Sequence, residues 1–200
     1  MNKTAGWHTR LLFLGTAGLA AAGMTAGASS LAVFTSSAAV PANTFTAGTV
    51  ILNTTPTTAV VTFSNMAPGD QVTAPLTVTN GGTLALRYAV SSVATNADSK
   101  GLMGQLVLSI KTGVTTCTTA GFTLSGTSAY SGILGALTTT KLIGDPAQGA
   151  QAGDRALPPT TLNSEALCFN VALPLATANA FQGATTTATF TFDAEQTTNN

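Results

Sequence analysis

Residues 181–200, at the C-terminal end of the sequence, read FQGATTTATFTFDAEQTTNN and carry its clearest structural signal. Every second side chain from Ala188 to Ala194 is apolar, whereas the side chains between them are threonine or aspartate. This period of two predicts a half-buried β-strand, because successive side chains in a strand point to opposite faces of the sheet. Such a strand fits an enzyme, a binding module or a subunit that associates with copies of itself.

The same alternation recurs in five further stretches, each bounded by Gly, Pro, Asn or Asp. They are TTAVVTFS (57–64), QVTAPLTVT (71–79), GTLALRYAVSSV (82–93), QLVLSIKT (105–112) and ALCFNVALPL (166–175). No stretch after residue 32 shows a helical period of 3.6 with caps, and we interpret 144–165 as a long surface loop. Short strands joined by turn residues predict an all-β fold, a single jelly-roll-like antiparallel β-sandwich.

One connection between the predicted strands has a recognisable turn chemistry. MAPGD (66–70) places Pro68 where φ is fixed for a turn and Gly69 where φ can be positive. Asp70 follows, and its carboxylate is suited to accept from nearby backbone N–H groups. We therefore predict an ordinary hairpin turn here.

The first 32 residues have the order of a secretory signal peptide. MNKTAGWHTR supplies two basic residues, LLFLGTAGLAAAGM is an apolar run, and the small residues that follow offer cleavage after Ala28 or Ala32. The alternative is a retained membrane anchor, but a run rich in Gly, Ala and Thr makes a weak spanning helix. We predict export, a sandwich domain over 33–200, and no stable membrane span after cleavage.

The composition narrows the function classes. Charged residues make up 7% of the chain, against roughly 25% in an average protein. Two of the seven basic residues fall in the predicted leader, so five remain beside seven acidic residues and the net charge of 33–200 is −2. This balance excludes a nucleic-acid-binding protein, because such proteins need a basic patch to neutralise phosphates.

The chain has two cysteines, Cys117 and Cys168. In an exported protein an even number of cysteines indicates a disulfide, and we expect one to join a strand near 114–118 to a strand near 166–175. The alternative is a pair of buried free thiols.

The residues that catalysis usually needs are missing from the sequence. There is no HExxH, GxSxG or phosphate-binding glycine loop, and the chain's one histidine, His8, lies in the leader. A Ser–His–Asp triad and a histidine zinc site are therefore excluded after cleavage. A calcium site from Asp98, Asp145 and Asp154 does not have the spacing of an EF-hand loop. We predict no catalytic residue, no metal site and no cofactor.

Two stretches resemble a known family. LAVFTSSAAVPANTFTAGTVIL (31–52) and VTFSNMAPGDQVTAPLTVTNGGTLALRYAV (61–90) are similar to the TasA/camelysin family of exported bacterial matrix-fibre and spore-coat-associated proteins. The matching positions include an aromatic residue after the leader, an F-x-A-G-T element, N-x-x-P-G-D and N-x-G-x-L. They are Phe34; Phe45, Ala47, Gly48 and Thr49; Asn65, Pro68, Gly69 and Asp70; and Asn80, Gly82 and Leu84.

The resemblance implies a jelly-roll subunit that is processed by a signal peptidase and self-associates into extracellular matrix or surface filaments. It also implies that the segment after the cleavage site, 33–44, acts as a donor strand that completes the sheet of the next subunit. The residues concerned are Val33, Phe34, Ser36, Ala38 and Val40. Two alternatives remain: a camelysin-like cell-surface metallopeptidase, for which the sequence shows no ligand set, and a non-catalytic extracellular binding module.

Overall fold

The computed structural model of the chain describes Thr44 and residues 46–62, 65–159 and 163–199. Over these residues the chain is nearly all β, with nine strands, two single-turn 3₁₀ helices and one short α-helix, α1 (Thr119–Leu124). The strands are β1 (Leu52–Thr55), β2 (Gln71–Asn80), β3 (Leu86–Ala94), β4 (Val107–Thr112), β5 (Thr127–Ile133), β6 (Thr140–Ile143), β7 (Arg155–Leu157), β8 (Ser164–Ala172) and β9 (Ala188–Gln196).

The strands form two antiparallel sheets. The first has the order β1-β2-β8-β4-β5, so its two outermost strands are β1 and β5. In the second, β3 is central. It pairs with β9 from Leu86↔Gln196 to Ala94↔Ala188 along one side, and with β6 and β7 in succession along the other.

The core lies between the two sheets and is built from the inward-facing side chains of both. Because side chains alternate along a strand, the inward positions of β2, β4 and β8 in the first sheet face those of β3 and β9 in the second. Phe169 of β8 and Phe190 of β9 meet across the core with ring centroids 5.3 Å apart. The largest apolar side chains with under 2% exposure are Tyr88, Phe169, Leu76, Leu86, Leu108, Ile110, Leu167, Val78 and Val90.

The predicted all-β fold class is confirmed, and the last strand has the predicted alternation. The jelly-roll topology stays a prediction. The proposed signal peptide (1–32) and residues 33–43 of the proposed donor strand lie outside the described residues, so both also stay predictions. Within the described residues, no helix is long and apolar enough to cross a membrane.

Three local predictions are wrong. Residues 57–62 form no strand, although their alternation predicts one. The segment 144–165 is not one loop, because it contains β7 and the start of β8. Helix α1 was not expected, because six residues are too few to show a helical period. In segments this short, tertiary contacts decide whether a helix or a strand forms.

The predicted turn at 66–70 is confirmed, but it is not the corner of a hairpin, because 57–62 form no strand and the preceding strand that pairs with β2 is β1, which ends at Thr55. The Asp70 backbone N–H donates to Ala67 O (2.9 Å), and Gly69 has a φ of 98°. The Asp70 carboxylate accepts from the Ala67 N–H at 2.8 Å, so the side chain closes the turn from the other direction. The Gly69 N–H also donates to Leu173 O (2.7 Å), which ties the turn to the end of β8.

Candidate functional site

A disulfide fastens the β4–β5 connection to the outer face of the first sheet. The structure contains the bond that the cysteine count predicts, with the Cα atoms of Cys117 and Cys168 5.6 Å apart. Cys168 lies in the central strand β8 and is only 2% exposed. The prediction that Cys117 lies in a strand is wrong, because it lies in the loop just before α1.

Helix α1 is held over this outer face by polar contacts as well. The hydroxyls of Thr73 and Thr119 are 3.2 Å apart. The Lys111 ammonium donates to Phe122 O at 2.6 Å and lies 4.7 Å from the centroid of the Phe122 ring. A cation is favourable at the carbonyl end of a helix, so Lys111 stabilises α1 where it ends.

An ion-pair network joins the two sheets through three residues. The Tyr88 hydroxyl of β3 donates to Glu165 Oε2 of β8 at 2.6 Å, and Arg155 Nε of β7 donates to the same oxygen at 3.0 Å. Arg155 Nη2 also bonds to Glu165 Oε1. Tyr88 is 1% exposed, so its hydroxyl satisfies its hydrogen bonding inside the protein.

This arrangement shifts the pKa values of its members in directions with clear causes. Burial raises the pKa of Glu165, but the hydrogen bonds from Arg155 and Tyr88 together outweigh it, so the pKa lies below its usual value. Burial, and then the bond to Glu165, raise the pKa of Tyr88 far above its usual value. Glu165 is thus a paired carboxylate, not a proton donor near neutral pH.

A cavity of about 240 Å³ lies between the outer face of the second sheet and the 144–154 segment. Its acidic and basic groups bond mainly to one another and to the backbone. Arg87 Nε lies 2.5 Å from Glu195 Oε1, to which the Gly149 N–H also donates. The Asp154 carboxylate accepts from the N–H groups of Asp145 (3.0 Å) and Gln151 (2.8 Å).

The carboxylates considered for a calcium site are divided between two places. Asp145 and Asp154 are adjacent in the 144–154 segment, and Asp145 also forms an ion pair with Lys141. Asp98 lies in the β3–β4 connection, where its oxygens accept from the N–H groups of Lys100 (3.0 Å) and Thr185 (2.6 Å). In the described part of the chain, no three His, Cys, Asp or Glu residues are grouped so that they could hold a metal ion.

Two of the outermost strands, β9 and β5, differ on the side that has no partner strand among the described residues. Strand β9 pairs with β3 over nine residues without a register shift, and β3 is its one partner strand within the described ranges. Its inward-facing rings, Phe190 and Phe192, are only half-buried. A regular outermost strand with incompletely covered apolar side chains favours the addition of another strand.

Strand β5 carries features that oppose strand addition. Its register with β4 shifts between Ile110 and Lys111. The Tyr130 ring folds over its own strand at Gly132, where a Cβ atom would lie 2.6 Å from the Tyr130 hydroxyl oxygen. That hydroxyl donates to Ile133 O at 2.9 Å. Bulges and covering side chains are common ways to prevent pairing at a sheet edge.

The family model described as camelysin metallo-endopeptidase matches residues 13–102. The match covers both stretches on which the predicted resemblance depends, so the resemblance to the TasA/camelysin family is confirmed. The family match supports a TasA/camelysin-type protein that is extracellular or lies at the cell surface. No curated protein matches the chain.

The metal that this family description implies does not fit the described residues. Their carboxylates are paired with basic groups or backbone N–H groups, as for Glu165 and Asp154, or lie apart, as for Asp98. Three converging ligands are the least that a catalytic zinc site uses, and the described part of the chain offers no such group. The family description and the donor groups of these residues therefore disagree.

Proposed function

We propose that the protein is a secreted structural subunit of an extracellular matrix or surface filament, and that it assembles by β-strand addition. The observation that carries the proposal is the regular, nine-residue outermost strand β9 with its half-buried phenylalanines. An added strand would pair with the backbone of β9 between Ala188 and Ala194 and cover these rings at the same time.

The second sheet favours β9 as the accepting strand. On the opposite side of β3, the short strands β6 and β7 share the pairing, and the register with β6 shifts between Val90 and Ser91. In the first sheet β1 is only four residues long, and β5 is protected from strand addition by its register shift and by the Tyr130 ring. Strand β9 therefore offers the longest uninterrupted row of backbone groups among the outermost strands.

The donor would be the segment 33–44 of another copy. Phe34, Ser36, Ala38 and Val40 alternate along it, and Pro41 ends the run of backbone donors. Small Ser and Ala side chains would fit a narrow groove, whereas Phe34 and Val40 would bury apolar surface worth roughly 1.5–3 kcal/mol each. The backbone ladder would supply the remaining affinity.

Electron microscopy of the purified protein 33–200 tests the proposal. We expect filaments from this protein, and a folded monomer with the same β-rich circular dichroism after deletion of residues 33–42. Filaments formed by the protein without 33–42 would show that this segment is not the donor strand. If that protein unfolds, the segment belongs to the core of its own subunit.

A matched pair of substitutions tests the accepting strand. Thr191→Lys places a charge on the exposed face of β9, where lysine opposes strand addition. Ser131→Lys places the same charge on the exposed face of β5. We expect Thr191→Lys to reduce filament formation and Ser131→Lys to leave it unchanged. The reverse result would move the accepting strand to β5.

The second candidate function is a cell-surface metallopeptidase, and the family description favours it. It requires chelator-sensitive cleavage of casein by protein prepared free of other proteases, with stoichiometric bound metal. We expect neither, because the described carboxylates do not converge. Casein cleavage that is lost on Asp145→Asn or Asp154→Asn would overturn this expectation.

A further inference from the structure

Asn80 and Gly81, where β2 ends and the turn to β3 begins, are the one Asn-Gly pair in the chain. An asparagine followed by glycine is the pair most prone to deamidation in an unfolded chain. The reason is that glycine has no Cβ, so the next backbone nitrogen reaches the asparagine side chain without steric hindrance. The turn after β2 therefore contains a chemically labile pair.

The Asn80 side chain is buried and bonded on both sides of its amide. Its exposed fraction is 0%. Nδ2 donates to Leu157 O (3.2 Å) and Pro158 O (3.0 Å) at the end of β7. Within the turn, Nδ2 donates to Leu84 O (2.9 Å) and Oδ1 accepts from the Gly82 N–H (2.9 Å). An ionised aspartate has no donor, so it cannot replace this amide.

Gly81 is required by the same packing. A Cβ atom on Gly81 would lie 2.5 Å from Asn53 Nδ2 and 3.3 Å from Ile51 Cγ2. The Gly81 N–H donates to Ile51 O at 2.9 Å, so the chain at 51–53 lies directly against the turn. Because the fold needs both the amide at position 80 and the missing Cβ at position 81, it retains the labile pair.

We propose that Asn80 is a latent deamidation site, which the folded turn protects and which reacts when the turn opens. In the reaction the Gly81 nitrogen attacks Asn80 Cγ, and the bond from Cγ to Nδ2 breaks. The proton of the Gly81 nitrogen leaves with Nδ2 as ammonia, and a cyclic imide remains. Water then opens the imide to aspartate or isoaspartate, so the reaction consumes water, releases ammonia and needs no oxidant or cofactor.

The folded turn blocks each requirement of this reaction. The Gly81 N–H is bonded to Ile51 O, so its proton is not available to a base. Three carbonyl groups hold Asn80 Nδ2, so the side chain cannot rotate toward the Gly81 nitrogen. With 0% exposure, Asn80 is also closed to the water that opens the imide.

The product does not fit the folded turn. A carboxylate at position 80 would face the three carbonyl oxygens that now accept from Nδ2, and would retain only the bond from the Gly82 N–H. A buried charge with so few donors is unfavourable, and isoaspartate also lengthens the backbone of the turn. Opening of the turn therefore leads to a permanent loss of the native structure.

Peptide mass spectrometry tests the site, because deamidation replaces the side-chain amide by a carboxyl group of different mass. Purified protein is kept at mildly alkaline pH, either folded or unfolded in guanidinium chloride. We expect Asn80 to react first among the asparagines of the unfolded protein. In the folded protein it should react about a hundredfold more slowly or less, because only molecules that are open at the turn react. Equal rates at Asn80 in both states, or a faster reaction at another asparagine of the unfolded protein, would overturn the proposal.

A matched pair of glycine substitutions tests whether the turn itself gives the protection. A Cβ on Gly82 would lie 2.3 Å from Thr49 O, so Gly82→Ala should loosen the turn and speed the reaction of Asn80 in the folded protein about tenfold. Gly104→Ala is the control, because a Cβ there meets nothing within 4 Å, and it should leave the rate unchanged. Circular dichroism establishes that both variants are folded. An unchanged rate in folded Gly82→Ala would show that the turn does not protect Asn80.

Refolding of the wild type tests the permanent effect and needs no variant. Protein is held in guanidinium chloride until part of Asn80 has reacted, then diluted, and size-exclusion chromatography separates folded from misfolded molecules. Protein unfolded only briefly is the control for refolding. We expect the folded fraction to retain Asn80 and the misfolded fraction to contain aspartate or isoaspartate at this position. Equal shares of the product in both fractions would overturn the proposal.

Discussion

Strands β5 and β9 are both outermost strands, yet they are built in opposite ways. Strand β5 has a register shift, a tyrosine folded over its own glycine, and a connection to β4 that is held by a disulfide. Strand β9 runs for nine residues without interruption and leaves two phenylalanines half-buried. The difference shows that the fold protects one edge of the sandwich from pairing and leaves another suitable for it.

Among the predicted changes, removal of the disulfide, which holds the connection before β5, should lower the free energy of unfolding most. Cys117→Ser removes the bond to Cys168, and the two cysteines are 51 residues apart in the sequence. A disulfide that closes a loop of this length contributes about 4 kcal/mol to the free energy of unfolding. Urea denaturation measures the loss. A reductant should lower the wild-type midpoint and leave that of the variant unchanged, and an equal effect on both proteins would contradict the prediction.

On the β9 side, Phe190→Ala should destabilise by about 2–4 kcal/mol, because it removes a ring that packs on Phe169 across the core. Tyr130→Ala on β5 should cost less, since the Tyr130 ring covers its own strand and only partly contacts the core. Urea midpoints of the two variants test this order. A larger loss from Tyr130→Ala would mean that β5 contributes more to the core than β9.

The network between the sheets should give a smaller, pH-dependent effect. Glu165→Gln removes the charge that Arg155 and Tyr88 bond, at a cost of about 1–3 kcal/mol at neutral pH. The folded pKa of Glu165 is lowered, so its contribution is complete above the unfolded value, about 4.3, and is lost as pH falls through the folded pKa.

Unfolding curves of the wild type and Glu165→Gln should therefore converge as the pH falls below about 4.3. Asp193→Asn, at an exposed position of β9, is the control and should leave neutral-pH stability within about 0.5 kcal/mol of the wild type. A difference between wild type and Glu165→Gln that stays constant from pH 7 to low pH would show that the charge of Glu165 is not what stabilises the network.

The smallest effect should come from Gly132→Ala on β5, about 0.5–1 kcal/mol. The new Cβ would meet the end of the Tyr130 side chain, which can move aside. Thermal unfolding measures the change. If Gly132→Ala lowers stability as much in the Tyr130→Ala background as in the wild type, contact with Tyr130 does not explain why residue 132 is a glycine.

Five of the six alternating segments contain a strand in the structure, namely β2, β3, β4, β8 and β9. The apolar positions of β2, β3, β4, β8 and β9 follow from periodicity alone, because a strand with one face in the core must alternate. The strand predicted from the alternation at 57–64 is wrong, since the described residues 57–62 form no strand. Alternation shows which side chains would share a face, but only a neighbouring strand makes the segment part of a sheet.

The candidate assembly site could be predicted only in part. The sequence pointed to β9 as a threonine-faced strand and to 33–44 as a donor, but it gave no sign that β9 is outermost. The pairing of Tyr88, Arg155 and Glu165 was also missed, because these residues lie on three different strands. Their distance in sequence leaves no local pattern to detect.

The sequence by itself determined the all-β class, the 66–70 turn, the paired cysteines and the family resemblance, because each depends on local side-chain order or on residue count. Only the tertiary structure decided which strand lies at which edge, which carboxylates are already paired, and which apolar side chains remain exposed. The physical reason is that strand order and burial depend on contacts between residues far apart in the chain, whereas alternation and turn chemistry act between near neighbours.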